Sequence, residues 1–197
     1  LATIEEEASR LSRFVTNLLD MTQLEAGAIA VRHDWVDVGD VVRGAVARAS
    51  RSFPRRRHQV AVSADLPLVR GDATLLEQVI FNLLDNSNKY ADAASTTEIT
   101  AGLADNRVLL AVSDHGIGIP PEALEKVFEK FYRVTGHDGR APGTGLGLSI
   151  CAGLVRAMGG AIRAESPLDG GHGTRVTIAL PAGPPPGNGA NAEVVVA

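Results

Sequence analysis

The chain has 197 residues, of which 45% are hydrophobic, enough for one domain with a sizeable core or one domain with an appendage. Its 23 acidic residues outnumber its 19 basic ones, and the net charge of −4 argues against a nucleic-acid binder, since such proteins usually carry a basic surface. The lone cysteine excludes an internal disulfide, and no apolar stretch reaches the ~20 residues that cross a bilayer.

The first 26 residues are predicted to form one long helix. Its apolar residues alternate at spacings of three and four, a heptad seam made of Leu1, Ile4, Ala8, Leu11, Val15 and Leu18. Gly27 follows as a helix stop. The segment is interpreted either as a hairpin or intermolecular coiled-coil element, or as an amphipathic helix lying on its own domain. Because the chain begins mid-helix without a start methionine, we expect it to be part of something longer.

Alternating and helical patterns follow in turn up to residue 72. A short strand is predicted at 29–32 and a helix over 36–50, where Val41, Val42, Ala45 and Ala49 recur at helical spacing. A strand is predicted at 58–64, and residues 69–72 lead into the next helix.

Residues 75–90 are predicted to form a helix with two contrasting faces. The core face carries Leu76, Val79, Ile80, Leu83 and Tyr90. The opposite face carries Gln78, Asn82, Asp85, Asn86 and Lys89, although asparagine is an indifferent helix former. A polar row of this length, roughly 10 Å, suits a polyphosphate, with amide oxygens for a hard cation and an ammonium for phosphate oxygens. The alternative is a polar surface helix rich in amides.

Two alternating strands, 98–103 and 107–114, are predicted to form a hairpin around Ala104–Asn106. The second strand delivers Asp114 to its end, and Gly116 and Gly118 then allow the backbone to approach a ligand closely. A buried carboxylate at this point is able to accept a hydrogen bond from an exocyclic amine, which favours adenine over guanine. The alternative is an ordinary strand-to-helix turn.

A short helix is predicted at 120–131, with proline at its start. It ends in an aromatic cluster beside the polar, glycine-bearing stretch 134–142, an arrangement that suits the hinge of a lid. Arg133, Arg140 and His137 would reach phosphates when the lid closes, and the alternative is a core turn with exposed arginines.

A glycine-rich stretch, 142–150, opens a helix predicted over 145–158. Gly143, Gly145 and Gly147 leave backbone N–H groups unobstructed at the helix N-terminus, where the dipole also attracts phosphate. The spacing is neither a P-loop nor a Rossmann fingerprint. Cys151, within the same helix, is interpreted as a small core residue.

Two closing strands, 161–165 and 174–180, and a disordered tail from Pro181 onward complete the chain. Because strands and helices do not alternate strictly, we expect a mixed, largely antiparallel sheet with helices packed on one face.

In order, these stretches resemble the nucleotide-binding boxes of sensor histidine kinases. The asparagine box corresponds to 82–90, the first glycine box to 114–120, the phenylalanine box to 127–133, the second glycine box to 143–150 and the last box to 170–174. The joint between the first helix and the domain looks most like the potassium-responsive, Kdp-type sensor kinases. The resemblance implies an α/β (α+β) two-layer sandwich of the GHKL type, preceded by one long dimerisation helix. The implied domains are 1–27, the second hairpin helix; 28–181, the ATP-binding catalytic domain; and 182–197, the tail.

The resemblance also implies an ATP site and a role for each part of it. Asn86 would hold Mg²⁺, Asn82 and Lys89 would face the phosphates, and Asp114 would accept from the adenine amine. The full implied set is Asn82, Asn86, Lys89, Tyr90, Asp114, Gly116, Gly118, Ile119, Phe131, Arg133, Arg140, Gly143, Thr144, Gly145, Leu146, Gly147, Leu148 and Thr174. Gyrase-like ATPases of the wider superfamily carry a glutamate where this chain has Asn82, and an amide does not act as a general base for water.

Kinases of this type phosphorylate a histidine followed by an acidic residue and then proline, on the preceding helix. The five histidines here, His33, His58, His115, His137 and His172, all lack that context. We therefore expect an ATP-binding histidine kinase core that does not phosphorylate itself and serves a histidine and a response regulator outside this chain. The full-length protein is expected to be a homodimer attached to the inner membrane, with this fragment in the cytoplasm. The alternatives are a non-catalytic nucleotide-sensing or dimerisation module, and a gyrase-like ATPase.

Overall fold

The computed structural model describes residues 15–16, 18–19, 21–24, 26, 30–134, 144–168 and 172–183. Five strands form one sheet in the order β2-β4-β5-β7-β6, and two short strands, β1 and β3, form a separate antiparallel pair. The strands are β1 Asp34–Val36, β2 Arg57–Val62, β3 Val69–Gly71, β4 Thr96–Ala104, β5 Arg107–Asp114, β6 Ala161–Glu165 and β7 Thr174–Pro181. The helices are α1 Val38–Ser52, α2 Ala73–Tyr90 and α3 Gly147–Ala157.

The expected mixed, mostly antiparallel sheet is confirmed. β2 runs parallel to β4, whereas β4, β5, β7 and β6 pair antiparallel in succession. The hairpin between β4 and β5 turns through Asp105 and Asn106, whose φ angles of 48° and 57° suit the tight two-residue turns that match strand twist. The register places Asp114, the last residue of β5, opposite Thr174, the first residue of β7.

The three helices supply the second layer and bury their apolar sides in one core. α2 buries Leu76, Val79, Ile80, Leu83 and Leu84, as its predicted core face requires apart from Tyr90, which is 37% exposed. The carboxylate of Asp72 caps its first turn by accepting from the N–H groups of Thr74 and Leu75. The core is completed from α1, α3 and the inward residues of β4, β5 and β7.

The predicted helix at 120–131 is not continuous. Two short 3₁₀ turns, Pro121–Ala123 and Lys126–Phe128, stand in its place. A segment this short gains too little from helix propagation to offset nucleation, and proline lacks the N–H that would extend it. The strand predicted at 29–32 is likewise displaced, since the nearest strand begins at Asp34.

The structure describes two residues of the predicted tail beyond Pro181, Ala182 and Gly183, and both contact β3 or the residue before it. Ala182 bridges to Val69 of β3, and the N–H of Gly183 donates to the carbonyl of Leu68. A Cβ on Gly183 would clash with the ring of Trp35 and lie 2.9 Å from the carbonyl oxygen of Leu68, so a larger residue here would displace the ring or the chain end. The remainder of the predicted tail, 184–197, lies outside the described residues.

The described part of the N-terminal helix, residues 15–16, 18–19 and 21–24, has two environments. Met21 is buried, and Leu24 lies against Gly153 of α3. Val15, Leu18 and Leu19 are between 41% and 56% exposed. Most of the predicted heptad seam falls outside the described residues, so its partner stays a prediction. In the part of the chain that the structure describes, no helix is long and apolar enough to span a membrane.

Candidate nucleotide-binding site

One cavity of about 210 Å³ opens between α2, the turn after β5, the segment after the 3₁₀ turns and the start of α3. It contains most of the residues that the sequence predicts for an ATP site. Those that line it are Asn82, Asn86, Lys89, Tyr90, Asp114, Gly118, Ile119, Arg133, Thr144, Gly145, Gly147, Leu148 and Thr174. Residues from five separate stretches of sequence therefore meet at one place.

The polar face of α2 forms one wall of the cavity. Lys89 makes an ion pair with Asp85 one turn earlier, which holds its ammonium along the wall. The Nδ2 of Asn82 is buried and has no hydrogen-bond partner among the described residues. The same side chain acts on the buried thiol of Cys151, so this atom lies on the core side of α2.

The start of α3 faces this wall from across the cavity. A Cβ on Gly147 would lie 3.7 Å from Oδ1 of Asn86, so the amide and the first turn of α3 stand close together. Gly147 and Leu148 of the first turn of α3 line the cavity, and no side chain caps this helix end. A helix N-terminus in this setting attracts anions through its free N–H groups and its dipole.

Asp114 closes the other end of the cavity. Its Oδ1 accepts from the N–H of Gly116 at 2.8 Å. Burial raises the pKa of Asp114, and the N–H groups of Gly116 and Thr174, followed by Arg56 and His115, act in the opposite direction. A carboxylate that keeps free acceptor capacity in a partly buried cavity is suited to an exocyclic amine.

The loop after Asp114 is held tightly in place. A Cβ on Gly116 would lie 2.6 Å from the carbonyl oxygen of Tyr90, so only glycine allows this approach. The hydroxyl of Ser166 accepts from the N–H of Ile119 and donates to the carbonyl of Gly173, both at 2.7 Å. Ser166 thereby ties the loop to the connection between β6 and β7. Sequence reasoning missed this serine because no motif marks it.

Three of the predicted residues that the structure describes do not line the cavity. Gly116 supports it from behind, as described, and Leu146 is fully buried in the core. The side chain of Phe131 is 62% exposed, the residue adopts a φ of 61°, and its backbone packs over Gly145. Its neighbour Tyr132 lines the cavity instead.

Apart from Val134, the stretch 134–142, beside which a lid hinge is predicted, lies outside the described residues. Arg140, Gly143 and His137 lie outside the described residues. The two ends of this stretch are joined, since the N–H of Phe131 donates to the carbonyl of Gly145 at 3.0 Å.

Apolar residues that the sequence did not single out complete the cavity. Ile117, Val112, Val127 and Val176 surround the Asp114 end and give it an apolar lining. A hydrophobic slot with one acceptor is a suitable place for a purine base. Ile117 and Val127 lie inside recognised boxes, so their position in the motif was an available signal.

Cys151 is fully buried, as predicted. Its thiol lies against the carbonyl of Val79 in α2. Burial raises the pKa of Cys151 to about 12, against a smaller opposing effect of the side chain of Asn82. The thiol is therefore protonated and serves as a core group.

Comparison with known proteins agrees with this geometry. Residues 71–184 match the family described as histidine kinase-, DNA gyrase B- and HSP90-like ATPases. The mycobacterial sensor histidine kinase MprB has a solved structure that is 32% identical, with a TM-score of 0.68, and the match covers 77% of this chain and 99% of that one. The chain belongs to the sensor histidine kinases and carries their ATP-binding domain. The predicted family and fold are thus confirmed.

Other relatives extend the match beyond the domain. The sensor protein KdpD of Clostridium acetobutylicum is 38% identical over 85% of this chain, and the histidine-protein kinase/phosphatase MprB of Mycobacterium avium is 38% identical over 94%. The chain spans 19% of the first and 34% of the second. Full-length ShkA in complex with AMPPNP is 30% identical with a TM-score of 0.77, over 93% of this chain and 38% of that one. Kdp-type sensors are thus among the relatives of this histidine kinase domain.

Proposed function

We propose that this chain binds Mg-ATP in the cavity and transfers the γ-phosphate to a histidine outside the chain, from which a response regulator receives it. The observation that carries the proposal is the meeting of the asparagine row of α2, the carboxylate of Asp114 and the open N-terminus of α3 around one cavity. The sensor kinases that this chain resembles supply the reaction type.

The apolar end of the cavity holds the adenine in this proposal. The base lies among Ile117, Val112 and Val176, and its amine donates to the carboxylate of Asp114. Thr174 lies opposite Asp114 in the strand register, beside its carboxylate. Guanine presents a carbonyl oxygen at the corresponding position, and two acceptors facing each other would repel, so ATP is preferred over GTP.

The polar end holds the phosphates. Lys89 contributes an ammonium that is shared with Asp85, and the N–H groups at the start of α3 contribute the anion-binding helix end. Arg133 lines the cavity on the side of the predicted lid. Asn82 lines the cavity on the same wall and faces the phosphates in this proposal.

The donor set also suits a magnesium ion. Among the described residues there is no cluster of three or more histidine, cysteine, aspartate or glutamate side chains able to form a protein-only metal cage. Mg²⁺ is commonly held by one or two protein oxygens together with phosphates and waters, and the Oδ1 of Asn86 near Gly147 is such an oxygen. When bound, the ion neutralises charge that develops on the phosphates.

The chemistry required of the protein is mainly positioning. Asn82 stands where gyrase-like ATPases carry a glutamate, and an amide does not take a proton from water. Phosphoryl transfer to an incoming imidazole needs no such base, because the neutral imidazole nitrogen is itself the nucleophile. The site therefore favours transfer over hydrolysis.

Incubation with γ-labelled ATP and Mg²⁺ tests this proposal. We expect saturable binding, no acid-labile label on the chain and no sustained phosphate release, since none of its histidines has the acceptor context. Label on the chain would contradict the claim that the acceptor lies elsewhere. Steady phosphate release would support the gyrase-like alternative, and absence of binding by a folded sample would support the non-catalytic one.

The assembly and location of the full-length protein are also proposals. We infer a homodimer through the N-terminal helix, because Leu18 and Leu19 remain exposed on the described part of it. Attachment of the full-length protein to the inner membrane, with this part in the cytoplasm, follows the sensor kinases that the chain resembles.

A further inference from the structure

Arg56 is a buried arginine that lies outside the cavity and outside every predicted motif. It precedes β2 and is only 6% exposed, whereas its neighbours Arg55 and Arg57 are exposed. Burying a guanidinium costs free energy unless its donors are paired. The hydrogen-bond partners of Arg56 therefore indicate its role.

The guanidinium donates to main-chain oxygens at the end of α2. Its Nη2 donates to the carbonyls of Ala91 at 2.8 Å and of Ser87 and Asn88 at 3.2 Å. The Ser87 carbonyl also accepts from the N–H of Ala91, and the carbonyls at this end of the helix carry the negative end of the dipole, so a cation there is favourable.

The same side chain also fixes the loop that follows α2. Its Nη1 donates to the carbonyl of Asp92 at 2.5 Å and to the hydroxyl of Ser95 at 2.9 Å. One planar fork thus bonds both the last turn of the helix and the loop that leaves it. A lysine carries a single ammonium and does not bridge two such sets in a fixed plane.

The end of α2 also forms one side of the apolar end of the cavity, where the adenine is proposed to lie. Tyr90 lies between two of the residues that Arg56 holds, and it lines the cavity. The carbonyl of Tyr90 accepts from the N–H of Ile117, which lines the cavity from the loop after β5. A shift at the end of α2 would therefore move both residues.

Arg56 also acts on Asp114 through its charge. Its positive charge lowers the pKa of Asp114 and so opposes the effect of burial. Burial lowers the pKa of Arg56 in turn, while Asp114 and then Asp92 raise it. The arginine therefore favours the ionised carboxylate, the better acceptor for an amine.

We propose that Arg56 is a positioning residue for base recognition: it holds the end of α2 and the loop 116–119 in the arrangement that selects adenine. The inference rests on the proposed function, because it assumes that adenine occupies the end of the cavity next to Asp114. It adds a determinant of specificity that does not touch the nucleotide.

The test compares Arg56→Met and Arg56→Lys with the wild type and with Arg55→Met, which removes an exposed arginine from the adjacent position. Dissociation constants for ATP and for GTP are measured by calorimetry with Mg²⁺, well below the unfolding midpoint of each variant. We expect Arg56→Met to weaken ATP binding about tenfold, the equivalent of one lost charged hydrogen bond. The ratio of the affinity for ATP to the affinity for GTP should fall by a similar factor. Arg56→Lys should retain part of the ratio, and Arg55→Met should retain all of it.

The ratio of ATP affinity to GTP affinity distinguishes a role of Arg56 in base recognition from a role in stability alone. A variant that unfolds at lower temperature but keeps the wild-type ATP-over-GTP ratio would overturn the proposal. If Arg56→Met does not fold, Arg56→Lys decides, because an unchanged ratio in that variant overturns the proposal and a reduced ratio supports it. Failure of the wild type itself to bind ATP would instead refute the proposed function.

Discussion

Asp114→Asn removes the charge of the proposed adenine acceptor and leaves the fold intact. The two side chains have the same shape, and the Oδ1 that accepts from the N–H of Gly116 at 2.8 Å is retained. The second oxygen becomes an amide donor, which faces the donating amine of adenine. The loss should therefore fall on the nucleotide and not on the loop.

The expected magnitude follows from the type of bond. A hydrogen bond to a charged group contributes ~1.5–3 kcal/mol, so ATP binding should weaken by a factor of roughly 10 to 100. GTP presents a carbonyl oxygen at this position, so an amide donor in place of the carboxylate removes the repulsion; GTP affinity should rise and the preference for ATP should disappear. Titration calorimetry of both nucleotides, on wild type and variant, measures the two affinities directly.

The same variant should be more stable than the wild type, although it binds ATP more weakly. Because burial raises the pKa of Asp114, the folded state holds its proton more tightly than the unfolded state, and stability is lost as pH rises through this range. Asparagine removes that cost, so the variant should unfold at a higher temperature than wild type at neutral pH, with the difference shrinking in acid. Unchanged ATP affinity together with an unchanged preference over GTP would refute the assignment of Asp114.

Three further predictions concern the surroundings of the site. Gly116→Ala brings a Cβ within 2.6 Å of the Tyr90 carbonyl and should lower stability by ~1–3 kcal/mol, whereas Gly102→Ala, with nothing within 4 Å, should not, as chemical denaturation would show. Ser166→Ala removes both bonds between the loop and the β6–β7 connection, and it should cost ~1–2 kcal/mol and weaken ATP binding measured by calorimetry. Cys151, with its pKa raised to about 12, should resist thiol reagents at pH 8 until the chain is denatured, and rapid labelling of the native chain would contradict its burial.

The sequence predicted the parts of the fold that carry a strong local pattern. α2 was identified from two opposed faces, and the β4–β5 hairpin from alternation on either side of Asp105–Asn106. Many residues of the cavity could also be predicted from the sequence. Backbones that approach each other closely require glycine, and a polar ligand requires a row of polar side chains that is unusual in a helix. Gly145 and Asn86 are examples, and both line the cavity.

The remainder depends on tertiary contacts that leave no local pattern. Arg56 is one of three consecutive arginines, and only the fold decides which of them turns inward to the end of α2. Ser166 reaches Ile119 across 47 residues of sequence. Trp35 and Gly183 meet because β1 pairs with β3 and the chain end bridges to the same strand, a pairing that hydrophobic periodicity does not specify.

In the proposed function, an adenine nucleotide occupies the cavity between α2, the loop after β5 and the start of α3. The most direct measurement is the change in backbone amide NMR shifts when a non-hydrolysable ATP analogue is added to the isotope-labelled chain, with and without Mg²⁺. We expect saturable shifts centred on 116–119 and 145–148, with tighter binding when Mg²⁺ is present. Shifts confined to other surfaces, or none from a folded sample at millimolar nucleotide, would contradict the proposed function.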